Sequence, residues 1–160
     1  YRCEYFPDRW VFEKTLLSGL RAVDSTLIEH DGRWWLFANV ADDENNATWD
    51  SLHLFYADSP LSEAWTPHPL NPIVADVCTA RPAGRIFRRN GNLIRPAQDS
   101  SRRYGGALHL QRIDKLSTTE YAETTVETLD PLEKGFLATH TINFLDDLTV
   151  IDVQARRRKW

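Results

Sequence analysis

The apolar residues of the chain are gathered into short runs rich in Val, Ile, Leu, Trp, Phe and Thr, and no helical periodicity of useful length is present. In the clearest segment the runs cover 23–30, 33–39, 51–57 and 65–74, separated by polar residues. Half-buried strands have this composition. Asp31-Gly32 separates the first two runs, and Asn90-Gly91 separates a later pair. Both dipeptides favour two-residue hairpin turns, in which the turn residues take positive φ. The pattern therefore predicts an all-β chain built from antiparallel hairpins.

The runs repeat. Leu52-His53-Leu54 returns as Leu108-His109-Leu110, about 56 residues on, and the aromatics Trp10, Trp65 and Tyr121 keep nearly the same spacing. "VDSTLIEHDGRWWLFA" (23–38) aligns with "PAGRIFRRNGNLIRPA" (82–97), and a weaker third copy is "HTINFLDDLTVIDVQA" (140–155). Four antiparallel strands at this period describe the blade of a β-propeller. The predicted organisation is a half blade over 1–18, whole blades over 20–75 and 77–130, and a half blade over 136–160. About three blade-equivalents are too few to close a ring and remove the sheet edges. The expectation is part of a longer propeller, with about two more blades lying partly before Tyr1 and partly beyond Trp160. The alternative is that the half blades pair, within or between chains.

Composition modifies this picture in several places. A formal net charge of -4 argues against a dedicated nucleic-acid binder. Between Arg81 and Arg103, however, seven arginines face the single carboxylate Asp99. Cys3 and Cys78 are too few for a disulfide framework and lack metal-ligand spacing. No apolar run reaches the roughly 18 residues of a membrane span. The chain has no methionine, shows no signal peptide and opens on "YRCEYF", which reads as strand, so it is expected to be the interior of a longer protein.

"RAVDSTLIEHDGRWWLFANV", "LHLFYADSPLSEAWTPHPLNPIV", "ARPAGRIFRRNGNLIRPAQDSSRRYGGALHL" and the later "THT" resemble the five-bladed propeller domain of plant glucosamine inositolphosphorylceramide transferases and its bacterial relatives. The resemblance covers nearly the whole chain. It implies a five-bladed ring associated with glycans and glycolipids, with the glycosyl-transfer chemistry in a separate C-terminal domain. A plant-type parent would place it in the Golgi lumen, a bacterial one in the cytoplasm. More remotely, the blades are similar to five-bladed furanosidase and arabinanase-type glycosidases, which use carboxylates at the inner ends of successive blades. Asp24 resembles one such blade-start aspartate. The stretch corresponding to their general acid is Ala80-Arg81-Pro82, and 77–98 contains no carboxylate at all. Hydrolysis needs two carboxyl groups facing one pocket, so Asp24 is the sole catalytic candidate.

Asp24 is read as a ligand-facing group or a turn cap, and His140, near the same place in the third copy, as a group for a sugar hydroxyl, an anion or an ion. Arg81, Arg85 and Arg95 are assigned to inner strands. Buried arginines need partners, so these meet carboxylates from elsewhere or an anionic ligand, for which the guanidinium fork is suited. Gln98, Asp99, Arg102 and Tyr104 fall in the connection to the third strand, where they form a sugar-binding loop or a structural network. Arg88 and Arg89 read as a solvated turn tip, and His53 and His109, being repeat equivalents, as structural. Trp10, Trp34, Trp35 and Trp65 are expected in the core between blades. His30 and His68 flank turns, and no metal or cofactor is expected. "ARRRKW" reads as a truncated strand, and Asn46-Ala47-Thr48 is a glycosylation sequon. The leading expectation is a non-catalytic carbohydrate-binding module. It would hold an anionic glycan or sugar phosphate in an axial pocket walled by Arg81 with Arg85 or Arg95, and lined by Asp24 and His140. The alternatives are a glycosidase-like enzyme with rearranged carboxylates, and an interaction scaffold whose arginines pair internally.

Overall fold

The computed structural model describes residues 1–41, 50–145 and 147–156, so the sequon at 46–48 and the end of the basic C-terminus lie outside the described residues. Every sheet is antiparallel. Strands β1 (Arg2–Tyr5) and β2 (Arg9–Val11) form a hairpin. The first large sheet has β3 (Arg21–His30), β4 (Arg33–Ala41), β5 (Ser51–Ala57) and β6 (Thr66–Pro67) side by side, with β7 (Val74–Ala75) also on β5. The second is β8 (Phe87–Arg89), β9 (Asn92–Asp99), β10 (Ala107–Leu116) and β11 (Tyr121–Leu129). A last hairpin joins β12 (Ile142–Leu145) to β13 (Leu148–Ile151). No helix among the described residues is long and apolar enough to cross a membrane.

The expected hairpins form as the dipeptides require. Asp31 and Gly32 take φ of 51° and 71°, and Asn90 and Gly91 take 51° and 79°. Two expected strands differ in detail. The run over 65–74 is broken between β6 and β7, because Pro67, Pro69 and Pro72 cannot donate to the ladder. Asn71 fills the gap: its amide accepts from the Leu54 N–H and donates to the Leu54 carbonyl, both at 2.8 Å. Likewise the first strand of the second sheet is short. Arg81 to Ala83 pair with Pro96 to Gln98, through Gln98 N–H to Arg81 O (2.8 Å) and Ala83 N–H to Pro96 O (3.0 Å). The chain then leaves at Gly84 and rejoins at Phe87.

That departure binds the last hairpin. Ala83 O accepts from Ile142 N–H at 2.8 Å, and Asn143 Oδ1 accepts from Arg85 N–H at 2.9 Å. Gly84 sits at φ 137°, where a Cβ would stand 2.1 Å from the Ile142 carbonyl oxygen. Only glycine fits there.

The sheets stack through alternating faces. Trp35 and Phe37 of β4, with Leu52 and Leu54, meet Ala80, Ile86, Leu93 and Ile113 of the second sheet. The opposite face of β4 (Leu36, Ala38, Val40) packs with Phe55, Ala57 and Trp65 against Leu16 and Leu17. Beyond the second sheet, Ile94, Leu108 and Leu110 meet Ile142. His68, buried, ties the two large sheets together: its Nε2 lies 3.0 Å from Ser117 O while Nδ1 accepts from Leu70 N–H. Trp35 and Trp65 are buried as expected, but Trp10 is 54% exposed, since the β1–β2 hairpin carries its aromatics on the surface.

Candidate functional site

Three separate parts of the chain line a cavity of about 380 Å³. Strand β3 contributes Asp24, Ser25 and Thr26; the second sheet and its flanking segments contribute Pro82, Gly84, Arg85, Gln98 and Tyr104; the segment before β12 contributes His140 and Thr141. Five of the nine residues singled out from sequence (Asp24, Arg85, Gln98, Tyr104 and His140) are thus brought together.

Asp24 is aimed by a backbone irregularity. β3 pairs with β4 at Val23–Asn39 and again at Thr26–Phe37, leaving one extra residue on β3, and Asp24 takes φ 52°. A bulge of this kind re-aims a side chain, and an aspartate at positive φ is uncommon. Its carboxylate meets Arg81, with Oδ2 2.5 Å from Nε. The Arg81 guanidinium lies 5.1 Å from the centre of the Tyr104 ring, and that ring lies 5.2 Å from the His140 ring. Tyr104 reaches this place because Gly105 O accepts from Thr139 N–H at 3.0 Å, holding the connection against the last hairpin. Tyr104 as a whole is half exposed.

His140 is fixed by Asp152, a residue that the sequence did not single out. Asp152 Oδ1 accepts from the N–H groups of His140 (3.0 Å) and Thr141 (2.6 Å) and from the Thr141 hydroxyl (3.0 Å), while Oδ2 contacts His140 Nδ1. Burial alone would raise the Asp152 carboxyl, but those hydrogen bonds and the His140 charge outweigh it and hold it below the usual carboxylate range. The aspartate's role depends on β13 folding back on β12, which leaves no local sequence signal.

Three candidates fall elsewhere. Arg95 is no part of the cavity wall. It is fully buried in a two-point pair with Glu123, Nε to Oε2 at 2.9 Å and Nη2 to Oε1 at 2.6 Å, and Nη2 also donates to Thr79 O at 2.7 Å. Tyr121 donates its hydroxyl to the same carboxylate. Burial opposes the Arg95 charge, yet the attraction of Glu123 and Tyr121 prevails and raises it further. Burial first, then Glu123, pushes the Tyr121 hydroxyl well up against the pull of Arg95. The cationic wall expected from Arg95 is corrected to a structural ion pair. Asp99 and Arg102 instead face a separate recess of about 210 Å³ with His109, Thr128 and Asp130. There Asp99 lies 3.4 Å from His109 Nε2 and accepts from Ser101, contacts that outweigh burial and lower its carboxyl. His109, also bonded to Thr128 at 2.8 Å, has this structural setting. Arg88 and Arg89 occupy the turn region, beside His30 and Glu127 respectively.

No group of three His, Cys, Asp or Glu among the described residues is placed to hold a metal ion. The chemistry the cavity offers is polar recognition: hydroxyls, one amide, an ion pair, an aromatic face and the Arg85 cation.

A family model described as glucosamine inositolphosphorylceramide transferase 1, N-terminal, matches residues 1–143. The chain belongs to that family. Its matched region contains every cavity residue through Thr141, whereas Asp152 lies beyond it. Glucosamine inositolphosphorylceramide transferase 1 of Oryza sativa subsp. japonica is 38% identical over 138 residues, covering 84% of this chain and 18% of the relative. The protein of the same name from Arabidopsis thaliana is 36% identical over 138 residues, with the same shares covered. The chain therefore spans less than a fifth of the length of these family members. No solved structure matches.

Proposed function

We propose that the chain is a carbohydrate-related module of a longer protein, auxiliary to glycosyl-transfer chemistry elsewhere, and that its cavity binds an anionic glycan or sugar phosphate. The observation that carries this is the cavity to which three separate parts of the chain send polar groups, with a half-exposed aromatic and, in Arg85, a guanidinium that makes no ion pair among the described residues. The family members' name, glucosamine inositolphosphorylceramide transferase 1, supports a carbohydrate-related role.

The sheets are read as propeller blades, with units over 1–18, 20–75, 77–130 and 136–160 in a five-bladed ring. Support comes from face-to-face stacking and from the leading segments of the last three units, at β3, before β8 and before β12, meeting at one cavity. The cavity would then lie on the ring axis.

An interaction scaffold is the second reading, favoured by the internal pairing of Arg81, Arg89 and Arg95. A hydrolase is less well supported: Asp24 is the single carboxylate in the described wall and is engaged by Arg81.

The deciding experiment is a titration of the intact chain with neutral and anionic sugars, followed by calorimetry and by resonance shifts. Binding that weakens with salt and perturbs Tyr104 and His140 is expected. Arg81→Ala should weaken it by releasing Asp24 and Tyr104, while Arg88→Ala should leave it unchanged. Equal losses in both variants would mean diffuse surface attraction and sink the pocket.

A further inference from the structure

One aromatic ring and two charged pairs connect the three parts of the cavity wall. Asp24 of β3 holds Arg81, whose guanidinium lies 5.1 Å from the centre of the Tyr104 ring. That ring lies 5.2 Å from the ring of His140, and His140 Nδ1 contacts Asp152 Oδ2. The order is carboxylate, guanidinium, phenol, imidazole, carboxylate. Imidazole is the one group in this series whose ordinary change of charge falls between about pH 5 and 8.

Tyr104 is placed to move. It is 53% exposed and belongs to the connection 100–106 between β9 and β10. One end of that connection is anchored where Asp99 Oδ1 accepts from the Ser101 N–H (2.9 Å) and hydroxyl (2.6 Å). The other end is Gly105, at φ 69°, followed by Gly106. A Cβ on Gly105 would stand 3.1 Å from Thr139 O, so the backbone here lies close against the segment leading into β12. Residues 101–104 between the anchors are exposed, and the glycine pair beside Tyr104 leaves the backbone free to pivot. The Tyr104 side chain makes no hydrogen bond among the described residues, and its place is set by the Arg81 and His140 contacts.

We infer that Tyr104 is a lid on the cavity, drawn shut when His140 is protonated against Asp152. A charged imidazole is attracted both by the carboxylate and by the π electrons of the phenol ring, whereas a neutral one keeps only the ring contact. Burial opposes the Asp152 charge, but hydrogen bonds from His140 and Thr141 hold its carboxyl below the usual range, so it stays ionised across this window. Arg81 is the second cation at the ring, and Asp24 offsets its charge. Arg85, exposed in the same wall, adds a repulsion that solvent and salt weaken. Closure therefore strengthens as pH falls through the imidazole range, and fails again in acid strong enough to protonate Asp152. The lid needs no ligand to work, so it stands apart from whatever the cavity holds.

Hydroxyl-radical labelling of the intact chain, read residue by residue by mass spectrometry, follows the lid directly. Labelling of Tyr104 should fall about threefold between about pH 8 and about pH 5.5, the scale of a cation–ring contact at an exposed site. Tyr5, 69% exposed on the β1–β2 hairpin, is the reference and should not change. His140→Gln cannot take up the charge and should show equal Tyr104 labelling at both pH values. The His140 side chain is 38% exposed, so this variant keeps the fold. Asp152→Asn retains an acceptor for the His140 and Thr141 N–H groups but not the charge, and should show a smaller fall. A fall in His140→Gln equal to that of wild type, or no fall in wild type, overturns the inference.

Discussion

Glu123→Gln removes one partner of the buried pair and leaves the Arg95 charge in place. The Arg95 side chain is wholly buried and that of Glu123 is 9% exposed, so water cannot replace the lost carboxylate. Both Glu123 contacts to Arg95 and the Tyr121 hydroxyl contact change at once. Breaking a buried pair from one side costs about 3–5 kcal/mol, against about 0–1 for an exposed pair. A domain whose total stability is about 5–15 kcal/mol would be left marginal. The assay is urea unfolding followed by tryptophan fluorescence. With m of about 1–3 kcal/mol/M, the midpoint should fall by more than about 1 M. The double variant Arg95→Met/Glu123→Leu should recover most of that loss, because an apolar pair of similar volume avoids the uncompensated charge. It will not recover all of it, because Thr79 O then loses its donor. A Glu123→Gln cost below about 1 kcal/mol, or a double variant no better than the single, would refute the reasoning.

Trp65→Ala should destabilise the chain by about 3–5 kcal/mol, visible as a lowered melting temperature; an unchanged melting point with lost glycan binding would make Trp65 a sugar platform instead. Gly84→Ala should disrupt the junction with the last hairpin, since the new Cβ would meet Ile142 O at 2.1 Å, and amide exchange at Ile142 should accelerate while that in β10 is retained. The Asp99 and Asp152 carboxyls are lowered in the folded chain, so they bind fewer protons than in the unfolded chain as pH falls through about 4. Their stabilisation is complete above that range and is lost as pH drops through the folded values. Asp152→Asn should be less stable than wild type at pH 6, with the difference shrinking by pH 3 in urea titrations.

Features governed by neighbours in sequence were open to reading from the chain. Asp31-Gly32 and Asn90-Gly91 form their turns because two residues alone decide a hairpin of that kind. The repeat of Leu-His-Leu and of Trp65 with Tyr121 reflects two sheets of like strand order, and Trp65 is buried accordingly. The break between β6 and β7 was also written in plain prolines, though the Asn71 amide that bridges it depends on reaching Leu54. Arg95 was misplaced for a different reason. Its partner is two strands away: Arg95 faces Gln111, Gln111 faces Thr125, and Glu123 stands diagonally beyond. Register shifts in β10 at Leu110/Gln111 and Ile113/Lys115 move that diagonal, and no composition argument predicts them. Trp10 follows its repeat equivalents in spacing but not in burial, because burial needs a facing sheet as well as a strand.

The arginine excess between Arg81 and Arg103 changes its meaning once partners are assigned. Counted along the chain, those cations meet one carboxylate; in space, Asp24 arrives from β3, and Glu123 and Glu127 from β11. Arg81, Arg89 and Arg95 are thereby spent on joining strands, and the broad positive field suggested by the sequence shrinks to a few side chains. Arg85 is the one of them placed in the cavity wall without an ion pair among the described residues.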